Sequence, residues 1–462
     1  MKSTANSSGI SRRRFIAAAG AAIAAPTIIP SSALGRDGAI PPSERIVMGV
    51  VGWGMQGPGN TNEFLGQKDC QVVAACDLDK KHLKQAADTI NKRYDNQDCK
   101  TYHDYREMFA RTDIDAVMLA VPDNWHALVA IEAARQKKDI YGEKPLARTI
   151  AEQQAIVKAV QANGRIWQTG SWQRSVANFH KGAEIVRNGL IGKVHHVEVG
   201  LPAGHNDFAG TKDKLQVSEP PAELDYAFWI GPAKMEPYIE GRVHKNWRWN
   251  YNIGGGQLLD WIGHHCDIAH WGLGFDLNGP YEIVGEGEFP PAERPWNTCT
   301  KYRITLKYPD DITMTIAGGH PDIKSGTKWI GSGGFVRVDR GGFDASNADW
   351  RRSGDNLPED LRKVKLYESA NHWRNFLDCV RSRQPAIAPV ETAHHSAIPG
   401  HLGLISMLAG DATPIDGPND EKGWTLRKGR KLQWDVQKEV IVGDATASKF
   451  MDRPYRAPWE HV

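Results

Sequence analysis

The sequence predicts an α/β chain with two sheets, a parallel sheet first and a mainly antiparallel sheet after it. Apolar strands alternate with helices between residues 45 and 163, which is typical of a parallel sheet covered on both faces. Short strands of alternating polarity then recur between residues 194 and 340, which indicates an antiparallel sheet with one polar face. The length of 462 residues fits two domains, because single cores stop growing at about 250 to 300 residues.

The composition excludes one large class of function. The chain has 57 Lys and Arg against 55 Asp and Glu, for a formal charge of +2, and it contains no basic block that would follow a nucleic-acid backbone. Six cysteines show no C-x-x-C spacing, so we expect mainly buried thiols.

The first 33 residues predict an export signal. Three arginines and Phe-Ile (residues 12–16) precede an apolar run (17–29) and the small residues 31–33, which form a cleavage site. The arginine pair is similar to a twin-arginine signal, whose pathway carries folded, often cofactor-loaded proteins. An ordinary secretory signal is the alternative. The apolar run is too short to span a bilayer, so we expect a periplasmic protein without a stable membrane anchor.

The first strand ends in a glycine turn that predicts a dinucleotide site. The sequence "GVVGWGMQGPGN" contains G-x-G-x-x-G directly after an apolar run, which would place the pyrophosphate at a helix N-terminus. The second strand ends at Asp77, twenty residues after the last glycine, where this fold needs a carboxylate for the ribose. Asp77 favours NAD over NADP, although Lys80 and Lys81 lie close enough to temper that preference. The predicted cofactor residues of the loop are Gly52, Gly54, Met55, Gln56 and Gly57.

Further elements continue the alternation. Thr149 and Glu152 have the spacing of a helix capping box. Two peptides fall at the carboxyl ends of strands, where parallel sheets bind ligands: "VPDNWH" (121–126) and "GEKP" (142–145), which contains Lys144. Considered alone, Lys144 is better interpreted as a surface lysine at a turn. The predicted elements are helices 78–94, 104–111, 124–137 and 149–163 and strands 71–76, 115–121 and 139–143.

Five motifs in order resemble the glucose-fructose oxidoreductase / inositol dehydrogenase (Gfo/Idh/MocA) family. They are "GVVGWGMQG", the strand-terminal Asp77, "VPDNWHA", "GEKPLA" and "GGGQLLDWIGHHCDIAHWGLG". The resemblance runs from about Arg45 to Gly410. It implies a Rossmann domain followed by an α/β domain with a large, open, mainly antiparallel sheet, and an active site between that sheet and the nicotinamide. It also implies NAD(P)-dependent oxidation of a secondary hydroxyl of a sugar or cyclitol.

The resemblance assigns roles to single residues. Lys144 would contact the reacting hydroxyl, and Asp260 and His264 would be the other catalytic residues. The sequence departs from the family pattern in two places: Asp123 stands where many relatives have Asn, and a long Pro/Trp-rich insertion is present. The further cofactor-binding residues that the resemblance implies are Pro122, Asp123, His126, Glu143, Lys144 and Gln173.

The histidine-rich segment 254–271 predicts one helix whose candidate functional residues lie on one face. Asp260, His264 and Asp267 recur at i, i+4 and i+7 and share a strip, whereas His265 and His270 lie elsewhere. We expect Asp260 to pair with the imidazole of His264, and a neutral His264 near its normal pKa to take the hydroxyl proton. Charged Lys144 would stabilise the alkoxide. A metal held by the three residues of the strip stays open from spacing alone, but we expect none.

The stretch 201–252 is too long and aromatic for a plain connection. Its tryptophans could border the pocket or simply anchor the loop. The predicted substrate-binding residues are Trp247, Arg248, Trp249 and Asp267. The domain prediction is an export signal at 1–33, a cofactor domain at 45–170, a catalytic domain at 171–410, and a C-terminal extension at 411–462 that packs on the catalytic domain.

The sequence therefore predicts an exported NAD(P)-dependent oxidoreductase with a tightly bound cofactor and a small carbohydrate substrate. The alternative is a glycosidase that recycles bound NAD through oxidation, elimination, hydration and reduction. A non-catalytic sugar-binding protein is disfavoured, because Lys144, Asp260 and His264 are all present. By analogy with other open sheets, we expect a homo-oligomer.

Overall fold

The computed structural model describes residues 40–352 and 357–462. The predicted export signal lies outside the described residues. Residues 40–45 belong to a small separate unit and contain the short 3-10 helix Pro42–Glu44. Residues 46–462 form one compact unit, which contains both sheets.

The first sheet has six strands, all parallel, in the order β3-β2-β1-β4-β5-β6. Five helices connect its strands, so the predicted parallel sheet is confirmed. The strands are β1 (Ile46–Val51), β2 (Cys70–Cys76), β3 (Lys100–Tyr102), β4 (Ala116–Leu119), β5 (Asp139–Gly142) and β6 (Trp167–Thr169). The helices are α1 (Gly57–Leu65), α2 (Lys80–Tyr94), α3 (Tyr105–Phe109), α4 (His126–Arg135) and α5 (Ile150–Ala162).

Capping residues fix where two of the connecting helices begin. The side chain of Asp79 accepts from the backbone N–H groups of Lys81 and His82 and so begins α2. Thr149 and Glu152 form the predicted capping box at the start of α5. Strands β4 and β5 are buried at every position, which explains why they appear in the sequence as continuous apolar runs.

The second sheet has eleven strands and is mostly antiparallel, as predicted. Its main order is β13-β12-β11-β7-β10-β9-β8-β15-β14, with β16 paired to β8 and to β17. Strands β7 and β10 are parallel to each other. The strands are β7 (Val194–Leu201), β8 (Glu282–Phe289), β9 (Lys301–Lys307), β10 (Thr313–Gly318), β11 (Gly326–Gly331), β12 (Gly334–Asp339), β13 (Gly342–Ala345), β14 (Asp411–Ile415), β15 (Trp424–Lys428), β16 (Leu432–Asp435) and β17 (Val440–Val442).

Apolar helices cover one face of this sheet. Leu258 and Ile262 from the histidine-rich helix pack in one core with Ile304 of β9 and with Leu402. The inward residues of β8 and β9 alternate with exposed ones, as expected for a sheet with one polar face. The helices are α6 (Ala177–Arg187), α7 (Tyr226–Ile230), α8 (Gly256–Leu273), α9 (Ala348–Arg352), α10 (His372–Ser382), α11 (Val390–Ala409) and α12 (Ala445–Ser448).

The C-terminal extension contacts both sheet regions. Its strand β15 pairs with β8 in the second sheet. Its last turns return to the first sheet region, where Arg453 donates to Glu152 at 2.8 Å and the ring centroid of Trp459 lies 4.7 Å from that of Trp125. The domain boundaries predicted from the sequence stay a prediction, but the extension is not confined to the second sheet.

Two further properties of the fold concern its cysteines and its helices. All six cysteines are free, and all but the partly buried Cys99 are buried. Across the described ranges, 40–352 and 357–462, none of the helices combines the length and the apolar character needed to cross a membrane.

Candidate active site

A cavity of about 310 Å³ lies at the carboxyl ends of the parallel strands. Its wall includes the residues that follow β1, β2, β4 and β5, and helix α8 with the preceding loop forms another part of it. Ligands bind at this edge in doubly wound sheets. The predicted residues that line the cavity are Gly52, Gly54, Met55, Gln56, Asp77, Pro122, Glu143, Lys144, Trp247, Arg248, Asp260 and His264.

The glycine loop has the shape that a dinucleotide requires. A Cβ atom on Gly52 would lie 2.3 Å from the carbonyl oxygen of Ala120, and its φ of 91° favours glycine. A Cβ on Gly57 would lie 2.0 Å from the Gly52 carbonyl, whereas nothing lies within 4 Å of the Cβ position of Gly54. The outer glycines therefore permit close packing, and Gly54 leaves its backbone open to the cavity ahead of the N-terminus of α1.

Asp77 is held rigidly at the end of β2. The backbone N–H of Trp53 donates to its Oδ2 at 2.7 Å, and the N–H of Asp79 donates to its Oδ1 at 2.9 Å. Burial raises the pKa of Asp77, against the opposing charge of His82. The ammonium group of Lys81 pairs with Glu223 at 3.0 Å, so its charge is directed to another carboxylate. Asp77 is thus placed to accept hydrogen bonds from a ribose.

Not every predicted cofactor residue reaches the cavity. Glu143 lines it and accepts from Asn60 Nδ2 at 2.8 Å. Asp123 and His126 are buried behind the wall, where His126 Nε2 lies 2.9 Å from the Val121 carbonyl oxygen. Gln173 is buried as well, with its Nε2 3.2 Å from His265 Nδ1. The last three residues support the wall in this structure rather than form its surface.

Lys144 and Asp260 meet at the centre of the site. Lys144 Nζ donates to Asp260 Oδ1 at 3.0 Å and to the Asp260 backbone oxygen at 2.8 Å. Arg248 Nε donates to the same Oδ1 at 3.0 Å, and its guanidinium lies 4.5 Å from the ring centre of Trp247. Burial alone would raise the pKa of Asp260, but Lys144 and Arg248 outweigh it and hold this pKa at about 2. The carboxylate is therefore ionised between two cations.

The structure differs from two expectations about His264, namely its contact with Asp260 and its pKa. It forms no hydrogen bond with Asp260 among the described residues; the Asp260 Oδ1 instead accepts from Lys144 and Arg248. Burial, reinforced by the charge of Lys144, lowers the pKa of His264 well below its ordinary value, so the expectation of a near-normal pKa was wrong. Its Nδ1 is buried without a partner in the described part of the chain. The neutral ring faces the cavity.

The position of Asp267 also differs from the prediction that it binds substrate. It shares a helix strip with Asp260, but the structure buries it in a two-pronged ion pair with Arg174, at 2.7 and 2.8 Å. Arg174 also donates to Asp276 at 2.7 Å. Asp267 does not line the cavity, so it is not available to bind substrate there. For the same reason, Asp260, His264 and Asp267 do not converge on a metal.

Trp249 differs from its neighbours Trp247 and Arg248. Its side chain is fully buried, and its Nε1 donates to the Asn206 carbonyl at 2.7 Å. Trp249 therefore anchors the loop, while Trp247 and Arg248 line the cavity. The difference follows from the 3-10 helix His244–Trp249, in which adjacent side chains point in different directions.

A group of potential metal ligands stands beside Asp77. In the described part of the chain, donor atoms of Asp79, His82 and His244 lie within 4.8 Å of one another. His244 Nε2 lies 3.3 Å from Asp79 Oδ2, and the rings of His82 and His244 lie 4.7 Å apart. The carboxylate and imidazoles could hold a divalent ion. As they stand, the contact of His244 with Asp79 joins the start of α2 to the loop before α8.

Sequence reasoning missed several cavity residues. Five of them lie in the stretch 201–252, whose short helical turns show no periodicity that reveals which side chains point inward. Trp125 was inside a predicted motif but was not assigned to the site. The missed residues with polar or aromatic side chains are His82, His103, Tyr105, Trp125, Trp172, Phe208, Phe228, Trp229, His244, Lys245, Trp261 and Arg340.

Two family models match nearly all of the described chain. The model described as an oxidoreductase family NAD-binding Rossmann fold matches residues 46–171, and the one described as an oxidoreductase family C-terminal alpha/beta domain matches residues 175–461. The chain belongs to the Gfo/Idh/MocA oxidoreductase family. The resemblance predicted from the five motifs is confirmed, and so is the predicted fold class of this Gfo/Idh/MocA protein.

Characterised and uncharacterised relatives differ in their named activity. An uncharacterised oxidoreductase, YrbE of Bacillus subtilis, is 29% identical over 44% of this chain and 59% of its own. An alpha-N-acetylgalactosaminidase of Shewanella oneidensis is 29% identical over 41% of this chain and 45% of its own. This Gfo/Idh/MocA chain thus spans about half the length of these relatives.

Solved structures share the fold at low identity. The WlbA dehydrogenase from Chromobacterium violaceum, in complex with NADH and UDP-GlcNAcA, has a TM-score of 0.56 at 15% identity and covers 78% of this chain and 94% of its own. The aldose-aldose oxidoreductase from Caulobacter crescentus, complexed with glycerol, has a TM-score of 0.54 at 18% identity, covering 77% and 95%. Both place the Gfo/Idh/MocA chain in the same fold.

Proposed function

We propose that this Gfo/Idh/MocA protein transfers a hydride between a secondary hydroxyl of a carbohydrate and NAD. The observation that carries the proposal is the contact of Lys144 with Asp260, at 3.0 Å between Nζ and Oδ1, in a cavity that also contains the glycine loop and His264. The cavity therefore combines a dinucleotide cradle, a fixed cation and a neutral imidazole. Oxidation of an alcohol requires these three components.

Each residue has a distinct task in this reaction. Bound NAD supplies the hydride acceptor. Lys144 donates a hydrogen bond to the reacting oxygen and stabilises its negative charge as the proton leaves. His264 accepts the proton at Nε2, since its Nδ1 is buried. Asp260, ionised and fixed by Arg248, holds the ammonium group of Lys144 in position.

Two observations support NAD rather than NADP and a cofactor that stays bound. Asp77 presents a fixed carboxylate that would repel a 2′-phosphate, and Lys81 is paired with Glu223. Segment 223–225 lies on the cofactor loop, because Leu224 bridges to Asp79 and the N–H of Asp225 donates to Leu78. Phe228 and Trp229 from the same insertion line the cavity. The insertion therefore covers the cofactor end of the site and slows release.

Export is part of the proposal. The arginine-rich N-terminus with its apolar run supports transfer to the periplasm by a twin-arginine pathway. A protein that works outside the cytoplasmic NAD pool has to retain its cofactor. We also propose self-association through the outer face of the second sheet, by analogy with other open sheets.

A glycosidase that recycles NAD is the second candidate. It is favoured by the similarity to the Shewanella alpha-N-acetylgalactosaminidase and by the covered cofactor end of the cavity. In such a cycle, the hydroxyl that is oxidised is later restored by reduction, the glycosidic group leaves by elimination, and water adds in its place. The proton-accepting His264 and the cation of Lys144 would serve the oxidation and its reversal in the same way.

One experiment tests both functions. The protein is purified from the periplasm, denatured, and the released nucleotide is identified by mass spectrometry; absence of NAD(H) or NADP(H) contradicts the retained cofactor. The native protein is then incubated with a panel of sugars and aryl glycosides, with and without added NAD. Stoichiometric NADH identifies the oxidoreductase. Release of the aglycone without net NADH identifies the glycosidase, and neither product from any substrate contradicts both.

A further inference from the structure

An arginine at the open side of the cavity has no function in the chemistry proposed above. Arg340 follows β12 at the turn into β13. Its side chain lines the cavity together with Lys144 and His264 and is exposed. It therefore lies where the cavity opens to solvent and where an entering ligand would meet it.

Two indoles fix the position of this guanidinium. The Cζ of Arg340 lies 4.7 Å from the ring centre of Trp172 and 4.4 Å from that of Trp261. Cation–π contacts at this distance hold the side chain in place. A long flexible arginine is thereby confined before any ligand arrives, which lowers the entropy cost of binding.

The charge of Arg340 lacks a close carboxylate partner. Within the described ranges its guanidinium forms no ion pair, and the one hydrogen bond of the side chain is the 3.4 Å contact of Nε with Gln173 Oε1. Asp260 and Asp339 attract it from a greater distance. Asp260 is shared by Lys144 and Arg248, and Asp339 pairs with Arg337 at 3.3 Å. The terminal nitrogens of Arg340 are therefore available to an external acceptor.

The surrounding charges favour an anion. In the cavity lining as a whole, four cations stand against three carboxylates: Lys144, Lys245, Arg248 and Arg340 against Asp77, Glu143 and Asp260. The lining therefore carries a small excess of positive charge, which attracts an anionic ligand and is strongest at low ionic strength. The fork of a guanidinium suits the two oxygens of a carboxylate or a sulfate group.

We propose that Arg340, held by Trp172 and Trp261, is an anion-binding subsite that selects carbohydrates carrying a carboxylate or sulfate group. The inference rests on the proposed function, because it assumes that the reacting hydroxyl lies at Lys144 and His264. It narrows the substrate class from carbohydrates in general to acidic ones. Arg340 binds and orients the substrate; it does not take part in proton or hydride transfer.

The test compares matched pairs of ligands on the purified holoprotein. The pairs are methyl glucuronide against methyl glucoside, methyl galacturonide against methyl galactoside, and the sulfate ester of glucose against glucose. Affinity is measured by isothermal titration calorimetry at low and high salt. We expect at least one acidic member to bind about 10- to 100-fold more tightly than its neutral partner, with a preference that shrinks as salt rises.

Three variants assign the preference to this side chain. Arg340→Gln should reduce the preference to about equal binding of the acidic and the neutral partner. Arg340→Lys should retain part of it, because the charge remains but the fork is lost. Arg351→Gln is the control, since this exposed arginine pairs with Asp344 and does not line the cavity.

The outcomes separate this inference from the proposed function. Acidic preference that depends on Arg340, without any hydride transfer or aglycone release, supports the subsite and contradicts the proposed reaction. Turnover of neutral and acidic partners at equal rates, unchanged in Arg340→Gln, supports the reaction and overturns the subsite. Failure of every pair to show an acidic preference also overturns the subsite.

Discussion

Lys144 and Asp260, 116 residues apart in the chain, form two hydrogen bonds, one through the carboxylate and one through the backbone carbonyl of Asp260. The first follows a parallel strand and the second lies on helix α8 of the other sheet region. The contact therefore fixes an ammonium group between the cofactor cradle and the proposed proton acceptor.

Lys144→Met should lower kcat by about 10²- to 10⁴-fold, because the reacting oxygen loses the cation that stabilises its charge. The NAD content of the purified protein should stay close to that of the wild type. Steady-state kinetics and nucleotide release on denaturation measure the two quantities. Unchanged turnover would remove Lys144 from the site.

His264→Ala should also lower kcat by about 10²- to 10⁴-fold. Because the pKa of His264 lies well below 6.5, its neutral, proton-accepting form is already present at mildly acidic pH. The acid limb of the wild-type kcat profile should therefore fall below pH 6.5. A limb above this pH would show that another group, or a differently placed His264, accepts the proton.

Asp77→Ser should weaken NAD binding by about 10- to 100-fold, since a charged hydrogen-bond acceptor for the ribose is lost. NADP should bind relatively better than in the wild type, because the repulsion of its 2′-phosphate disappears. Calorimetry on protein stripped of nucleotide measures both affinities. Equal losses for the two cofactors would contradict the assigned contact.

Asp267→Ala should destabilise the fold by about 3 to 5 kcal/mol, because it leaves Arg174 charged and buried without its main partner. The double variant Arg174→Met, Asp267→Leu removes both charges and should recover much of this loss. Urea denaturation compares the free energies of unfolding. A folded Asp267→Ala protein with unchanged stability and a raised KM would restore the substrate-binding role that the structure contradicts.

His401 should make stability depend on pH. Burial lowers its pKa to about 3 from 6.5, so in mildly acidic solution only the unfolded chain takes up the proton. Stability is then lost as pH falls below 6.5, at about 1.4 kcal/mol per pH unit. Between pH 7 and pH 5, the wild type should lose about 2 kcal/mol more than His401→Gln. The exposed His195→Gln is the control and should show no such difference.

The sequence predicts the first sheet well because its strands are buried on both faces and therefore appear as continuous apolar runs. The glycine spacing and Asp77 are likewise local signals. In the second sheet, β11, β13 and the C-terminal strands were missed or barely indicated. They are short, glycine-rich or polar, and their pairing partners lie far away in the chain.

The candidate site could be predicted only where helix geometry or a motif carried the information. Periodicity correctly places Asp260 and Asp267 on one strip, but it does not reveal that Arg174, 93 residues earlier, pairs with Asp267. It also cannot supply the burial that lowers the pKa of His264. Arg340 lies at a turn between two strands, so nothing in its own neighbourhood relates it to Lys144.

The position of Trp459 has a consequence for how the cavity wall is built. Its indole packs against Trp125 and Phe228, two rings that line the cofactor end of the cavity. Trp459 does not itself line the cavity, so it supports these rings from behind. The wall beside the glycine loop therefore depends on a residue that lies far later in the chain.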